Sequence, residues 1–377
     1  MKKIGMLPVI DSLEYNKGGQ HTVVKKLYLS TELQKDVAFY LIPKKNDNIE
    51  NLKKYGLLMA IKKTSLGLIM AFSRLMRASY KHIKTLDHEV IISHDYIDSY
   101  VITKFFKNIR LVTVQHSQGS LYTEYTDLHG YKKSFLLKWF LNHMEKTIYK
   151  NAEITGFPSM GAREALMQTH PQIKGILEQK PVAVLYNGVP IKNEQFQIEK
   201  PDKPLQIITV SKINMAKGID RVPEYLNQLK ERNINFHWTL LGQGPLADIL
   251  EQEIEKYSLQ NHITWIKDRL PHATVMEYLT NSHYYMCMHR FSIFDFSTLE
   301  AMLHGCIPLL TNVGGNKEMI QWNNGVLIDE KEQFAAQFET IEQQRDTLAK
   351  ENFEIVKNNF SESNFYNYYI DLVKRIR

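Results

Sequence analysis

Cysteine is nearly absent from this sequence. Cys287 and Cys306 are the only two in 377 residues, too few for a disulfide framework or a cysteine-based metal site. A reducing, cytoplasmic setting is the expectation. Long apolar runs are missing as well: no stretch approaches the ~18 residues that a membrane span needs. The first residues, MKKIGMLPVID, have an apolar core too short for a signal peptide before Asp11 interrupts it. No internal repeat or low-complexity segment is present. The remaining composition, 44% hydrophobic and 23% charged, argues against a disordered chain. Its length is enough for two domains of ordinary size.

Acidic residues are also missing from one long segment. Residues 51–84 hold eight Lys or Arg and no Asp or Glu. Leu58, Ile61, Leu68, Phe72, Leu75 and Ile83 recur there near helical spacing, while Lys63, Arg74, Arg77, Lys81 and Lys84 share another face. A basic amphipathic helix of this kind reads as a membrane-surface element, or as a core helix with a solvated basic face. The imbalance is wider than this segment. Residues 1–190 carry 27 Lys and Arg against 16 Asp and Glu, and the remainder carries 20 against 25. The first part is therefore expected to face something anionic, with a membrane surface ahead of nucleic acid. Residues 131–150 read as a helix with Leu136, Phe140, His143, Met144 and Thr147 inward. Phe135 and Trp139 alternate there with lysines, a pattern that also suits base stacking. Helical packing explains it more cheaply, and no nucleic-acid partner is expected.

The chain alternates short apolar runs with helical patterns. Residues 2–9, 37–42, 89–94, 109–116 and 153–158 read as strands in the first half. Residues 205–211, 237–241, 262–266, 284–288 and 306–310 do so in the second. That rhythm predicts an α/β protein with parallel sheets, whose ligands sit at the carboxyl ends of strands. Several polar or glycine-rich groups fall at those ends. Gly18-Gly19 follows the first strand, His94 the third and His116 the fourth. Lys212 and Lys217, closed by Gly218, follow residues 205–211. Two cations five residues apart at a strand end suit a diphosphate; a solvated charged loop is the plainer reading. Gly242-Gln243-Gly244-Pro245 is not a dinucleotide fingerprint, because no third glycine arrives in register.

Residues 288–318, MHRFSIFDFSTLEAMLHGCIPLLTNVGGNKE, organise the second half. An aromatic loop from Phe291 to Phe296 leads into a helix starting near Ser297 and ending near Gly305. A buried strand and the Gly314-Gly315 turn follow. Unpaired N–H groups at a helix start and adjacent glycines make a corner suited to an anion. Ser297 and Glu300 also fit S-x-x-E, so a capping box explains them equally well.

The order of these pieces resembles glycosyltransferase family 4. Phe294-Asp295, Leu299-Glu300-Ala301-Met302, Gly305, Pro308 and Gly314-Gly315-Asn316-Lys317-Glu318 follow that family's donor-sugar signature. Gly18-Gly19, His116, Asn187-Gly188-Val189 and Lys212/Lys217 match it at four further points. The resemblance implies two Rossmann-like domains in the GT-B arrangement, with the active site in the cleft between them. Residues 1–190 would form the acceptor-side domain and residues 191–360 the nucleotide-sugar domain. Residues 361–377 would be a helix crossing back to the first. The implied activity is retaining, metal-independent transfer of a hexosyl unit from a nucleotide-sugar, a UDP-sugar by expectation. The acceptor would be a cell-surface glycan, exopolysaccharide or lipid-linked molecule at the inner face of the membrane.

The resemblance also assigns roles. Lys212 and Lys217 offset charge on the leaving diphosphate, with backbone N–H groups near Ser297 and Thr298 adding to this. Glu300 accepts from the ribose hydroxyls, Arg269 lies where the family holds the base, and Gly18 and Gly19 approach the donor phosphates. Phe296 lies in the donor loop. His116 holds a sugar or acceptor hydroxyl. No cofactor or metal is expected, and no Asp-x-Asp triplet is present. This sequence departs from the family where Lys212 replaces the commoner Arg, Ser292 replaces a usual Glu and Asp295 a usual Gly. Either Asp295 supplies the missing carboxylate, or it caps the following helix with Ser292 in a solvated loop. A nucleotide-sugar epimerase and a non-catalytic partner of a transferase remain as alternatives.

Overall fold

The structure is a computed structural model that describes residues 4–10, 19–41, 64–196, 200 and 204–377. It divides into two compact units: Met1–Leu185 with Tyr366–Arg377, and Tyr186–Phe365. Each unit is built on one six-stranded sheet, and every strand pairing is parallel.

The first sheet contains β1 (Ile4–Ile10), β2 (Val37–Leu41), β3 (Val90–Ser93), β4 (Arg110–Val114), β5 (Ile154–Phe157) and β6 (Val182–Val184), in the order β2-β1-β3-β4-β5-β6. β3 and β5 are buried at every position. This is why they read as continuous apolar runs rather than alternating ones. The segment 51–84 is a helix over Ser65–Ile83, with Thr64 capping it by accepting from the Gly67 N–H; residues 51–63 lie outside the described residues. Leu68, Phe72 and Ile83 are buried as expected, but Leu75 is 52% exposed.

The helix Phe135–Asn151 departs from expectation. It buries Leu137, Leu141, Met144, Glu145, Ile148 and Tyr149, and leaves Leu136 and His143 in solvent. Its sequence offers two apolar stripes. The stripe that meets Leu68 and Phe72 of the neighbouring helix is the one centred on Leu137 and Leu141. Ser134 caps the helix start by accepting from the Leu137 N–H.

The second sheet contains β7 (Leu205–Val210), β8 (Phe236–Leu241), β9 (Ile263–Ile266), β10 (Tyr284–Cys287), β11 (Ile307–Thr311) and β12 (Val326–Ile328), ordered β12-β11-β10-β7-β8-β9. Chain direction across the sheet reverses between β7 and β10, which are neighbours. In such sheets the loops leaving the two central strands diverge, and ligands bind in the crevice between them. The lysine loop leaves β7 and the aromatic loop leaves β10. The last helix, Glu362–Ile376, starts in the second unit and ends in the first.

Candidate active site

Backbone contacts knit the loops after β7, β10 and β11 into one corner of the second unit. The N–H groups of Arg290 and Phe291 both donate to the Ala216 carbonyl, at 2.9 and 3.2 Å. Arg290 also forms a two-pronged ion pair with Asp220, at 2.8 and 2.6 Å. Two glycines permit this closeness. A Cβ on Gly218 (φ +61°) would lie 1.9 Å from the Met288 carbonyl oxygen, and one on Gly314 (φ +51°) 1.8 Å from that of Ser292. Glycine is required at both positions on conformational and steric grounds.

Lys217 and Asp295 meet at this corner as an ion pair. Asp295 occupies the N-cap position of the helix Phe296–Leu303, yet makes no side-chain cap bond. The carboxylate is drawn to Lys217 instead, with a longer contact from the Thr298 hydroxyl at 3.4 Å. The capping role is therefore not the one the structure shows. Burial alone would raise the Asp295 pKa, but Lys217 holds it well below the usual carboxylate range. Burial likewise would lower Lys217, and the Asp295 carboxylate outweighs it, so the ammonium is held above its ordinary value. Both groups are charged over the whole physiological range.

Starting the helix at Phe296 also dissolves the capping box. Ser297 falls inside the first turn, and the Glu300 carboxylate accepts from or pairs with His272 at 2.9 Å. Glu300 and His272 border a cavity of about 290 Å³ with Met276, Leu303, His304 and Phe353. Ser292 is buried rather than solvated, and its hydroxyl oxygen has no partner among the described residues. Lys212 and Arg269 are exposed. The Lys212 ammonium has no partner among the described residues and stands open at the end of β7.

A buried polar row under the corner was not legible as a unit in the sequence. The Cys287 Sγ lies 3.2 Å from His289 Nε2, and Asn316 Nδ2 lies 3.2 Å from His289 Nδ1. The Cys287 thiol donates to the Lys217 carbonyl at 3.4 Å. One neutral assignment satisfies all three contacts: the Asn316 amide donates to Nδ1, and Nε2–H points at the sulfur. Burial pushes the thiol far up, so Cys287 is an inert strut and not a nucleophile. Burial, then Lys217, pushes His289 down to about 3. β10 ends at Cys287 and His289 lies two residues beyond it, so strand alternation does not reach this pairing.

His289 makes the second unit acid-sensitive. An unfolded histidine takes a proton near pH 6.5, and the folded one refuses it until about 3. Its contribution is complete above about pH 6.5 and is lost as pH falls, at about 1.4 kcal/mol per pH unit. His289→Gln should flatten the pH dependence of unfolding free energy by about one proton between roughly pH 6 and pH 4. Denaturant unfolding across that range measures it, and an unchanged slope removes His289 as the cause.

His116 belongs to the first unit. It follows β4, and its Nε2 lies 2.8 Å from Nδ1 of His94 at the end of β3. The two rings stack at 5.1 Å between centroids, and His94 stacks on Tyr369 at 5.7 Å. Burial pushes His116 down to about 4, and burial followed by His116 pushes His94 well below the ordinary value. The pair is neutral, so one imidazole donates to the other. His94, given little weight in the sequence, is thus the group that orients His116. Gly19 opens the helix Gly19–Leu29, and Gly18 lies outside the described residues.

Residues 190–358 match the family described as glycosyl transferases group 1. That match runs through nearly the whole second unit, which is the part of the chain similar to group 1 glycosyl transferases. The matched residues include Lys212, Lys217, Arg269, Ser292, Asp295, Phe296, Ser297, Thr298 and Glu300. In sequence, the chain is similar to the gpi3 subunit of phosphatidylinositol N-acetylglucosaminyltransferase from Schizosaccharomyces pombe. The two are 27% identical over 149 residues, 39% of this chain and 32% of that one. The chain thus spans about a third or less of the length of the first curated relatives it matches. In structure it is similar to sucrose-phosphate synthase from Thermosynechococcus elongatus. Their TM-score is 0.72 at 15% identity, covering 100% of this chain and 99% of that one. HepE from Anabaena, solved in complex with UDP, gives a TM-score of 0.65 at 16% identity over 99% and 100%. These likenesses establish the fold class, two α/β units of the GT-B kind.

Proposed function

We propose that the chain is a glycosyltransferase that takes a sugar from a nucleoside diphosphate donor held in the second unit. The observation that carries this reading is the placement of the lysine loop and the Phe296–Leu303 helix start. They leave adjacent strands where the strand order reverses. Anions bind at such crevices through cationic side chains and free helix N–H groups. Lys212 supplies an unpaired charge, and Lys217, paired with Asp295, carries a second charge within the same loop. Stabilising the diphosphate as it leaves is the main electrostatic demand of the reaction. The two lysines and the helix amides answer it without a metal. The known ligand of HepE, UDP, supports a uridine donor, and the name of the gpi3 relative supports a lipid-linked acceptor. Retention of configuration follows from the family resemblance and is part of the proposal.

Within this reading His116 positions a hydroxyl of the sugar or acceptor. His116→Ala should lower turnover by about ten- to a hundredfold, the cost of one buried hydrogen bond, while donor affinity stays nearly constant. An equal loss of donor affinity would move His116 to the donor side.

One observation favours a second reading, a degenerate and non-catalytic domain: the Lys217 charge is already answered by Asp295. Incubation with UDP-, GDP- and dTDP-sugars separates the two. Slow hydrolysis of one donor supports the transferase. Nucleotide binding with no hydrolysis and no transfer supports the degenerate domain. Epimer formation instead would make the protein an isomerase.

A further inference from the structure

Two helices of the first unit expose a set of large apolar side chains that its core does not use. On the helix Phe135–Asn151, Phe135 is 86% exposed, Leu136 54% and Trp139 58%; on Ser65–Ile83, Leu66 is 60% and Met70 46% exposed. All five lie in the first two turns of their helices. The two helix starts lie side by side: Leu68 and Phe72 pack with Leu137 and Leu141, and the Ser65 hydroxyl donates at 3.0 Å to the carbonyl of Lys132, three residues before the second helix. Neighbouring helix starts in the same unit thus carry all five exposed apolar side chains, and exposure of this kind marks an interaction site.

The charge on the two helices is positive at their surface. Leu66, Met70, Arg74, Arg77 and Lys81 fall within about 80° of arc at 3.6 residues per turn. Lys132, Lys138, Lys146 and Lys150 are exposed on or beside the other helix, and Lys133 pairs with Asp127 at 2.8 Å. Neither helix exposes a carboxylate: Ser65–Ile83 contains none, and Glu145 of the other is fully buried. An aromatic and aliphatic tip flanked by lysines matches the layering of an anionic leaflet. Trp settles at the headgroup level, aliphatic groups enter the acyl boundary, and ammonium groups meet lipid phosphates.

We propose that this pair of helix starts is a membrane-insertion edge, with Phe135, Leu136, Trp139, Leu66 and Met70 entering the outer part of an anionic bilayer. It differs from a purely electrostatic basic helix, because part of the binding survives when salt screens the charges. The inference is independent of the donor chemistry.

The test is co-sedimentation with vesicles of phosphatidylcholine alone and of equimolar phosphatidylcholine and phosphatidylglycerol. The chain should bind the anionic vesicles about tenfold more tightly and stay partly bound in high salt. Brominated acyl chains should quench Trp139, read as the difference between the chain and Trp139→Phe. The Phe135→Ser/Trp139→Ser double variant should lose about tenfold in partitioning. Its circular dichroism and unfolding midpoint should not change, since both side chains are exposed. Undiminished binding by the double variant would overturn the proposal, as would sedimentation with neither vesicle. A dimer that the double variant converts to monomer, with no vesicle binding, would assign this edge to a second copy. Retention by nucleic acid and not by vesicles would overturn it in favour of a nucleic-acid partner.

Discussion

Lys217→Ala should lower glycosyl transfer by at least roughly 10²–10³-fold, the usual effect of deleting one preorganised donor to developing charge. The same change should destabilise the second unit. It leaves Asp295 buried beside His289 without its cation, and breaking a buried pair costs on the order of 3–5 kcal/mol. The partial exposure of Lys217 (24%) places the cost toward the lower end. The two losses are separable. In Lys217→Ala/Asp295→Ala no charge is stranded, so stability should return toward that of the unmodified chain while transfer stays lost. Turnover that recovers along with stability would show that Lys217 acts only through folding.

Asp295→Ala should split binding from turnover. The carboxylate now neutralises the cation that a donor diphosphate would use, so its removal should tighten nucleoside diphosphate binding by about tenfold. Transfer should nevertheless collapse, on the expectation that Asp295 supplies to the donor sugar the carboxylate that Ser292 cannot. Ser292→Ala should be close to neutral, because its buried hydroxyl has no partner to lose. Calorimetric titration of UDP or GDP, beside the transfer or hydrolysis rate, reads both effects. Full activity in Asp295→Ala would end the compensation idea. Unchanged diphosphate affinity would show that the ion pair does not compete with the donor.

The fold was legible because parallel strands buried on both faces write themselves as apolar runs, and each run read as a strand in the second half became one. The three-residue edge strand β12 (Val326–Ile328) was too short to stand out. The rotation of Phe135–Asn151 was misread because two apolar stripes compete in its sequence, and only the position of its neighbour decides between them. Within the site, local patterns located the lysine loop and the Phe296–Leu303 helix. Long-range pairings stayed hidden: Lys217 with Asp295, His272 with Glu300, and His94 with His116. Each joins side chains from separate elements far apart in sequence, so no spacing rule reaches it. The capping signal at Ser297 misled for the same reason. It is a local preference, and Asp295 was engaged elsewhere by a charge 78 residues away in sequence.

The central claim is that the loop from Lys212 to Gly218 holds the phosphates of a nucleotide donor. Titration calorimetry of UDP and of uridine into the same chain, repeated with Lys212→Ala, tests it most directly. Lys212 carries the unpaired cation and its removal strands no buried charge, so the comparison is free of folding effects. The account predicts UDP bound at least about tenfold more tightly than uridine, with most of that preference gone in Lys212→Ala while uridine affinity is unchanged. Equal affinities for UDP and uridine, with GDP no better than guanosine, or a diphosphate preference untouched by Lys212→Ala, would contradict it.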